Sequence, residues 1–262
     1  MVGLRIPSLS SVQPNRSHHL FPDGAWFHAD YRGYGGNGTG DLARASGLWR
    51  GNNTNQVNAI SWLTRGPYTG VGSVRFTSAT QGRLICNNNP WNISTTATAW
   101  TLAVWMNTIS STANVVVANN NTTTLNAYIS MTAAGLATVA LNSGTTLLSG
   151  GYNTGTKAVN DGAWHFVVGT YDGSGSNSGL HIYVDGRNVD GTPTGTPGIG
   201  QAGTAIIGSQ TGQAIIGCLV SDFLGYQRAL TAAECAELWS EAQLGFPSLL
   251  VSSSRLAVKK ST

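Results

Sequence analysis

The sequence predicts an all-β protein, an antiparallel two-sheet sandwich carrying one short C-terminal helix. Three observations carry this. Trp164-His-Phe-Val-Val-Gly-Thr-Tyr171 and Leu180-His-Ile-Tyr-Val184 are β-branched and aromatic runs, separated by a Gly/Ser/Asn loop and bounded by Asp-Gly pairs. That is the pattern of paired antiparallel strands. Charged residues are only 10% of the 262-residue chain, while glycine alone supplies 34 residues. Such a composition suits many short strands joined by turns. Only one segment has clear helical spacing: Thr231-Ala-Ala-Glu234 is a capping box, and Cys235, Leu238, Trp239 and Ala242 recur on one face behind it.

Taken in order, residues 1–50 read as an irregular arm. They contain Pro7, Pro14 and Pro22 and a glycine-rich stretch over Arg32–Gly40, without sustained periodicity. Phe21, Trp26, Phe27, Tyr31 and Tyr34 make solvation of this arm costly, so it should dock on a surface. Strands are expected at about 73–78, 81–86, 99–106, 113–119, 124–131, 136–141, 163–171, 179–185, 203–208 and 214–226. In the third, Trp100, Leu102, Val104 and Met106 alternate with Thr101, Ala103 and Trp105. Alternation also places Trp164, Phe166, Val168, Leu180, Ile182 and Val184 in the core, leaving His165, Val167, Tyr171, His181, Tyr183 and Asp185 on the outward face. Gly245 and Pro247 end the helix, and a basic tail follows.

Three stretches carry a family resemblance: Asp161-Gly-Ala-Trp-His-Phe-Val-Val-Gly-Thr-Tyr-Asp-Gly173, Leu180-His-Ile-Tyr-Val-Asp-Gly186 and Tyr226-Gln-Arg-Ala-Leu-Thr-Ala-Ala-Glu234. In this order they resemble the recurring text of the laminin G-like branch of the concanavalin A-like lectin/glucanase jelly rolls. The resemblance covers roughly residues 70–243 and implies a jelly roll over 51–243, with an arm at 1–50 and a basic tail at 244–262. This sandwich hosts lectins, glycosidases, adhesion modules and viral coat proteins, so function must be argued from a site.

Charge is uneven. Residues 1–50 carry a net of +2, residues 51–251 a net of −2, and residues 252–262 a net of +3. Basic ends suit arms lying on an acidic neighbour, or simply solubilising tails. No basic stripe runs through the central part, so nucleic acid is not an expected partner. No run reaches the ~20 apolar residues of a membrane span, and Met1–Pro14 lacks the apolar segment of a signal peptide. The expectation is therefore a trimmed N-terminus or an exit route other than export. Cys86, Cys218 and Cys235 are an odd set without framework spacing and read as buried thiols.

Glycosidases on this sandwich resemble one another in a strand with paired carboxylates. Here the three glutamates, Glu234, Glu237 and Glu241, all fall on the helix, off its apolar face and toward solvent. No Gly-x-Ser-x-Gly elbow occurs either. The expected protein is not an enzyme. Relatives often hold Ca²⁺ at a loop-rich rim, for which Asp172, Asp190 and Asp222 are candidates. Asp161, Asp172, Asp185 and Asp190 all precede glycine, a turn device first of all. No cofactor or metal is expected.

Two binding candidates remain. His165, His181, Tyr183 and Asp185 form either an outward contact surface or, for His165–Asp185, a structural cross-strand pair. The loop Asn87-Asn-Asn-Pro-Trp91 joins amides to an indole, the chemistry of a sugar site, with Asn87, Asn88 and Trp91 as its contacts unless Trp91 serves the core. Two functions follow as expectations. One is a virion structural or decoration protein of a tailed phage, attached to other virion proteins through arm and tail. The other is a secreted or cell-surface lectin-like module that binds glycans. Either could form homo-oligomers.

Overall fold

A computed structural model describes residues 12–14, 26–29, 54–57, 60–63, 65–68, 71–76, 83–86, 93, 95–112, 114–120, 125–142, 148, 150–198, 204–208, 217–246 and 250–252. Among these, the N-terminal strands are β1 (Val12–Pro14), β2 (Trp26–Ala29), β3 (Thr54–Val57), β4 (Ile60–Leu63), β5 (Ser73–Phe76) and β6 (Arg83–Cys86). The central ones are β7 (Trp100–Asn107), β8 (Asn114–Asn120), β9 (Leu125–Met131), β10 (Leu136–Leu141), β11 (Gly151–Ala158) and β12 (Trp164–Tyr171). Next come β13 (Leu180–Val184), β14 (Arg187–Asn188), β15 (Thr204–Gly208) and β16 (Leu219–Tyr226). Helix α1 (Ala232–Gln243) and β17 (Leu250–Ser252) complete the order.

The strands build two antiparallel sheets, as alternation predicts. One has seven strands in the order β11-β10-β9-β8-β15-β6-β3. The other runs β14-β13-β12-β7-β16-β5-β4, with β2 as its eighth member. Val104, Met106, Val167, Ile182 and Phe223 of the eight-stranded sheet meet Ile129, Met131, Val139 and Leu141 of the other in one buried cluster. Burying side chains of this kind contributes roughly 1.5–3 kcal/mol each.

A second apolar layer lies outside the eight-stranded sheet. Ala103, Trp105, Phe166, Val168, Tyr183 and Leu224 pack there beneath Cys235, Leu238 and Ala242 of α1. The capping box is present: Thr231 Oγ1 accepts from the Glu234 amide, and Glu234 Oε2 accepts from the Thr231 amide. Gly245, at φ +75°, closes the helix. Phe246 is buried in this layer as well. The helix is therefore a lid on the sheet, and β7 and β12 are covered on both faces.

That double cover corrects the expected strand phase. The observed register pairs Val167 with Val184, Val168 with Tyr183, Gly169 with Ile182 and Tyr171 with Leu180. Opposed residues share a face, so Val167, Gly169 and Tyr171 face the other sheet with Leu180, Ile182 and Val184. Phe166, Val168 and Tyr183 face the helix, where Trp164 packs half-buried. All six expected core residues are at least partly covered, but they divide between two cores.

Further pairing occurs along β16 and β11. Strand β16 pairs through Leu219 and Val220 with β5 and through Phe223–Tyr226 with β2. The segment Trp26–Ala29, within the stretch read as irregular, thus adds to the main sheet. On β11, Thr156 N–H donates to Val189 O at 2.8 Å, and Tyr152 and Thr194 exchange backbone bonds at 2.9 and 2.8 Å. These bonds occupy an edge that would otherwise template pairing with another chain. Separately, β1 and β17 form a two-stranded ribbon, Val12 opposite Ser252 and Pro14 opposite Leu250. The rest of 1–50 and the tail beyond 252 lie outside the described residues.

Asp222 explains an irregularity in β16. Val220 opposes Met106 and Phe223 opposes Val104, with the register shifting between Ser221 and Phe223. A regular strand would send Asp222 into the inter-sheet core and Phe223 out of it. Asp222 instead takes φ +30°, and its carboxylate accepts the hydroxyl hydrogen of Tyr68. The bulge returns Phe223 to the core.

Candidate functional site

The hairpin between β13 and β14 is tight. Asp185 and Gly186 both have positive φ, +53° and +75°, and Val184 opposes Arg187. A two-residue turn of this hand requires left-handed backbone at both positions, which Asp tolerates and Gly accepts freely. Gly186 is needed for a second reason. A Cβ there would lie 2.6 Å from Trp239 Cδ1, so the hairpin tip rests directly on the indole of α1. Trp239 is supported in turn by Trp105 and Phe166, at ring-centroid distances of 5.2 and 6.2 Å.

Asp185 fixes this tip to the sheet. Its Oδ1 accepts the Phe166 amide at 3.0 Å and its Oδ2 accepts from His165 Nδ1 at 2.8 Å. The other imidazole nitrogen meets Asp161 Oδ1 at 3.0 Å, and Lys157 Nζ lies 3.4 Å from Asp185 Oδ2. His165 is buried between two carboxylates. The Asp185 hydrogen bond raises its pKa above the ordinary value, overcoming the opposing effect of burial. Burial works to raise Asp185, but hydrogen bonds from His165 and the Phe166 amide outweigh it and hold the carboxyl below its usual range. Asp161 is lowered by the Ala163 amide and then by His165.

The same arrangement recurs one hairpin away. Asp190 Oδ1 accepts the Ile182 amide at 2.7 Å, and its Oδ2 accepts from His181 Nδ1 at 2.7 Å and Asn188 Nδ2 at 2.9 Å. In both cases an aspartate secures a strand amide and the imidazole just before it. Satisfying these groups gives the imidazoles a structural duty.

The predicted outward cluster is therefore dispersed. His165–Asp185 is present as a cross-strand pair, whereas His181 lies half-exposed with Asp190 and Tyr183 is buried beneath the helix. Tyr171 is fully buried in the inter-sheet core, where its hydroxyl donates to Thr96 O and accepts from Gly175 N–H, both at 2.7 Å. The reversed phase of β12 sends Tyr171 into the inter-sheet core, α1 covers Tyr183 on the outer face, and Asp190 engages His181. Asn87, Asn88 and Trp91 lie outside the described residues.

The acids are engaged structurally. Glu234 is not simply turned to solvent: it makes paired hydrogen bonds with Arg228, at 2.9 and 2.7 Å. That guanidinium holds its carboxyl at about pKa 2. Asp172 Oδ1 accepts the Ser174 amide at 2.8 Å, a turn contact. Among the described residues no three His, Cys, Asp or Glu side chains gather as a metal would require. Cys218 and Cys235 are buried thiols, their pKa pushed up to about 12 by burial.

What the structure does assemble is a groove of about 640 Å³ between the hairpin tip and α1. Its walls include Lys157 of β11, Asp185, Arg187 and Asn188 of the hairpin, and Trp239 and Ser240 of the helix. Among the described residues, Asp185 is the one predicted site residue that reaches it. The others come from three separate elements, and no local motif marks them.

Known proteins share this architecture. A laminin G-type family model, described as the concanavalin A-like lectin/glucanases superfamily, matches residues 74–236. The chain belongs to that superfamily. No curated protein is similar to it in sequence. Among solved structures it resembles the binding domain of botulinum neurotoxin serotype G, with TM-score 0.58 and 11% identity over 82% of this chain and 50% of the other. It also resembles the binding domain of paraclostridial mosquitocidal protein 1, with TM-score 0.55 and 16% identity over 82% of this chain and 52% of that one. A third similarity is to Trypanosoma rangeli sialidase in complex with sialic acid, with TM-score 0.55 and 12% identity over 83% of this chain and 33% of the enzyme. At such identities the likeness is one of fold. The chain spans between a third and about half of these longer chains.

Proposed function

We propose that this chain is a non-catalytic glycan-binding module. One observation carries the reading: the groove at the hairpin–helix junction combines an indole with cationic and hydroxyl groups. Sugar sites are built from such groups, an aromatic platform for the ring and polar groups for its hydroxyls. Asp161, Asp185, Asp190 and Glu234 meanwhile serve as structural clamps. Paired carboxylates for glycosidic cleavage need one free to protonate and one free to attack or activate water. Similarity to binding domains of two toxins supports the same reading, while the sialidase likeness marks the alternative. A glycan array probed with the full chain, alongside reducing-sugar assays on the glycans retained, tests both halves. Retention without turnover is expected, and turnover would overturn the non-catalytic part.

A finer reading places the module on a phage particle as a decoration protein, held by its two ends. The β1–β17 ribbon favours it, because it joins a segment near each basic end at one place. The deletion that tests this is residues 1–25, which spares the Trp26–Ala29 strand of the main sheet. The shortened protein should fold yet fail to load onto particles, and normal occupancy would end the reading.

A further inference from the structure

We infer that the hairpin–helix groove selects a carboxylated sugar, with Arg187 as the anion anchor. The inference rests on the glycan-binding reading and adds to it a ligand class and a site. The groove's volume, about 640 Å³, falls within the range of small-ligand sites and accommodates one or two sugar rings.

Charge decides the class. Among the described residues two cations and one acid line the walls, namely Lys157, Arg187 and Asp185. Both Asp185 oxygens already accept hydrogen bonds, one from the Phe166 amide and one from His165, and Lys157 lies beside the second. Its charge is thus largely answered from within the fold. Arg187 is exposed, and among the described residues no acid pairs with it. The groove is left with a surplus of positive charge and a planar, forked donor. That fork matches a carboxylate in a bidentate pair, a geometry that lysine cannot reproduce.

The helix wall supports the same ligand. Ala236, Trp239 and Ser240 follow i, i+3, i+4 spacing and present one face to the groove. Glu237 and Glu241 each lie two residues from Trp239, about 160° around the helix from it, while Glu237 is about 60° from Ser240. Their charges flank the groove and do not line it. Ser240 Oγ donates to Ala236 O at 3.1 Å, so its lone pairs remain available to a sugar hydroxyl. Trp239, held by Trp105 and Phe166, offers its remaining surface to the ring.

The test is calorimetric titration of the full chain with sialyllactose, a glucuronic acid disaccharide, lactose and acetate. An acidic saccharide should bind about tenfold or more tightly than lactose, the margin of one charge-assisted bidentate contact. Arg187→Gln should remove that preference while the melting curve stays unchanged, since Arg187 is exposed. Lys157→Gln should reduce it less, because Lys157 is shared with Asp185. Ser240→Trp should block the groove to every saccharide. Glycans that bind with no acidic preference, or that still bind the Ser240→Trp protein, would overturn the inference and leave the glycan-binding reading standing. Acetate binding as tightly as the saccharides would overturn the sugar assignment, leaving only an anion site. Absence of any glycan binding, on the array as in the titration, would end both.

Discussion

Gly169→Ala separates the observed strand phase from the one that alternation suggests. In the structure Gly169 faces the seven-stranded sheet, and a Cβ there would lie 2.6 Å from Val139 Cγ2 and 3.4 Å from Ile129 Cγ1. Ordinary carbon contacts are about 3.5–4.0 Å, so the methyl overlaps Val139 by roughly 1 Å. Val139 is fully buried and stiff at χ1, and it cannot turn away. Overpacking of this kind costs about 1–3 kcal/mol, against about 0.5–1 kcal/mol gained by replacing a strand glycine. The net expectation is a loss of about 1–2 kcal/mol. Val139→Ala alone removes two buried methyl groups and leaves a void, for a loss of about 2–3 kcal/mol. In the double variant the new methyl enters that void, so the two losses should fall short of additivity by about 1–2 kcal/mol. Urea denaturation followed by tryptophan fluorescence measures all four corners of the cycle. Were Gly169 on the outward face, Gly169→Ala would be neutral or stabilising and the two changes additive, and that result would refute the packing described.

Other expectations follow from the clamps and the helix. His165 has a raised pKa in the fold, so its contribution is complete below its unfolded value near 6.5 and is lost as pH rises through the folded value. Asp161 and Asp185 are lowered, so their contribution is present above about 3.8 and is lost as pH falls through their folded values. Thermal stability should therefore peak in the weakly acidic range, and His165→Gln should flatten its alkaline decline; an unchanged profile would contradict the clamp. Thr231→Ala should lower stability by about 1 kcal/mol in denaturant melts through loss of the helix cap. Glu234 should titrate near pH 2 in NMR spectra, and Arg228→Gln should return it toward 4.5.

Strand and helix identity was legible where local chemistry suffices. The capping box Thr231–Glu234, the Asp185-Gly186 turn and the alternation of β7 are each contained in a few consecutive residues, and each appears as read. The His165–Asp185 pair was legible too, because a hairpin brings neighbours in sequence together. Strand β11 was not, since Gly151-Tyr-Asn-Thr-Gly-Thr-Lys-Ala158 has no apolar phase for alternation to show. The phase of β12 was not legible for the opposite reason. Phe166, Val167 and Val168 are consecutive and all apolar, and both faces are buried once α1 covers the outer one. Alternation can orient a strand only when one side meets water.

The groove depended wholly on tertiary structure. Lys157, Arg187 and Trp239 lie on a strand, a hairpin and a helix, and no spacing in the chain relates them. They meet because Gly186 lets the hairpin tip close on Trp239, and because Asp185 ties that tip to His165 and Lys157. The chain's sequence determines such elements by short-range hydrogen bonding and periodic burial. Which residues share a surface is decided by how the elements pack, where contacts join positions far apart in the chain.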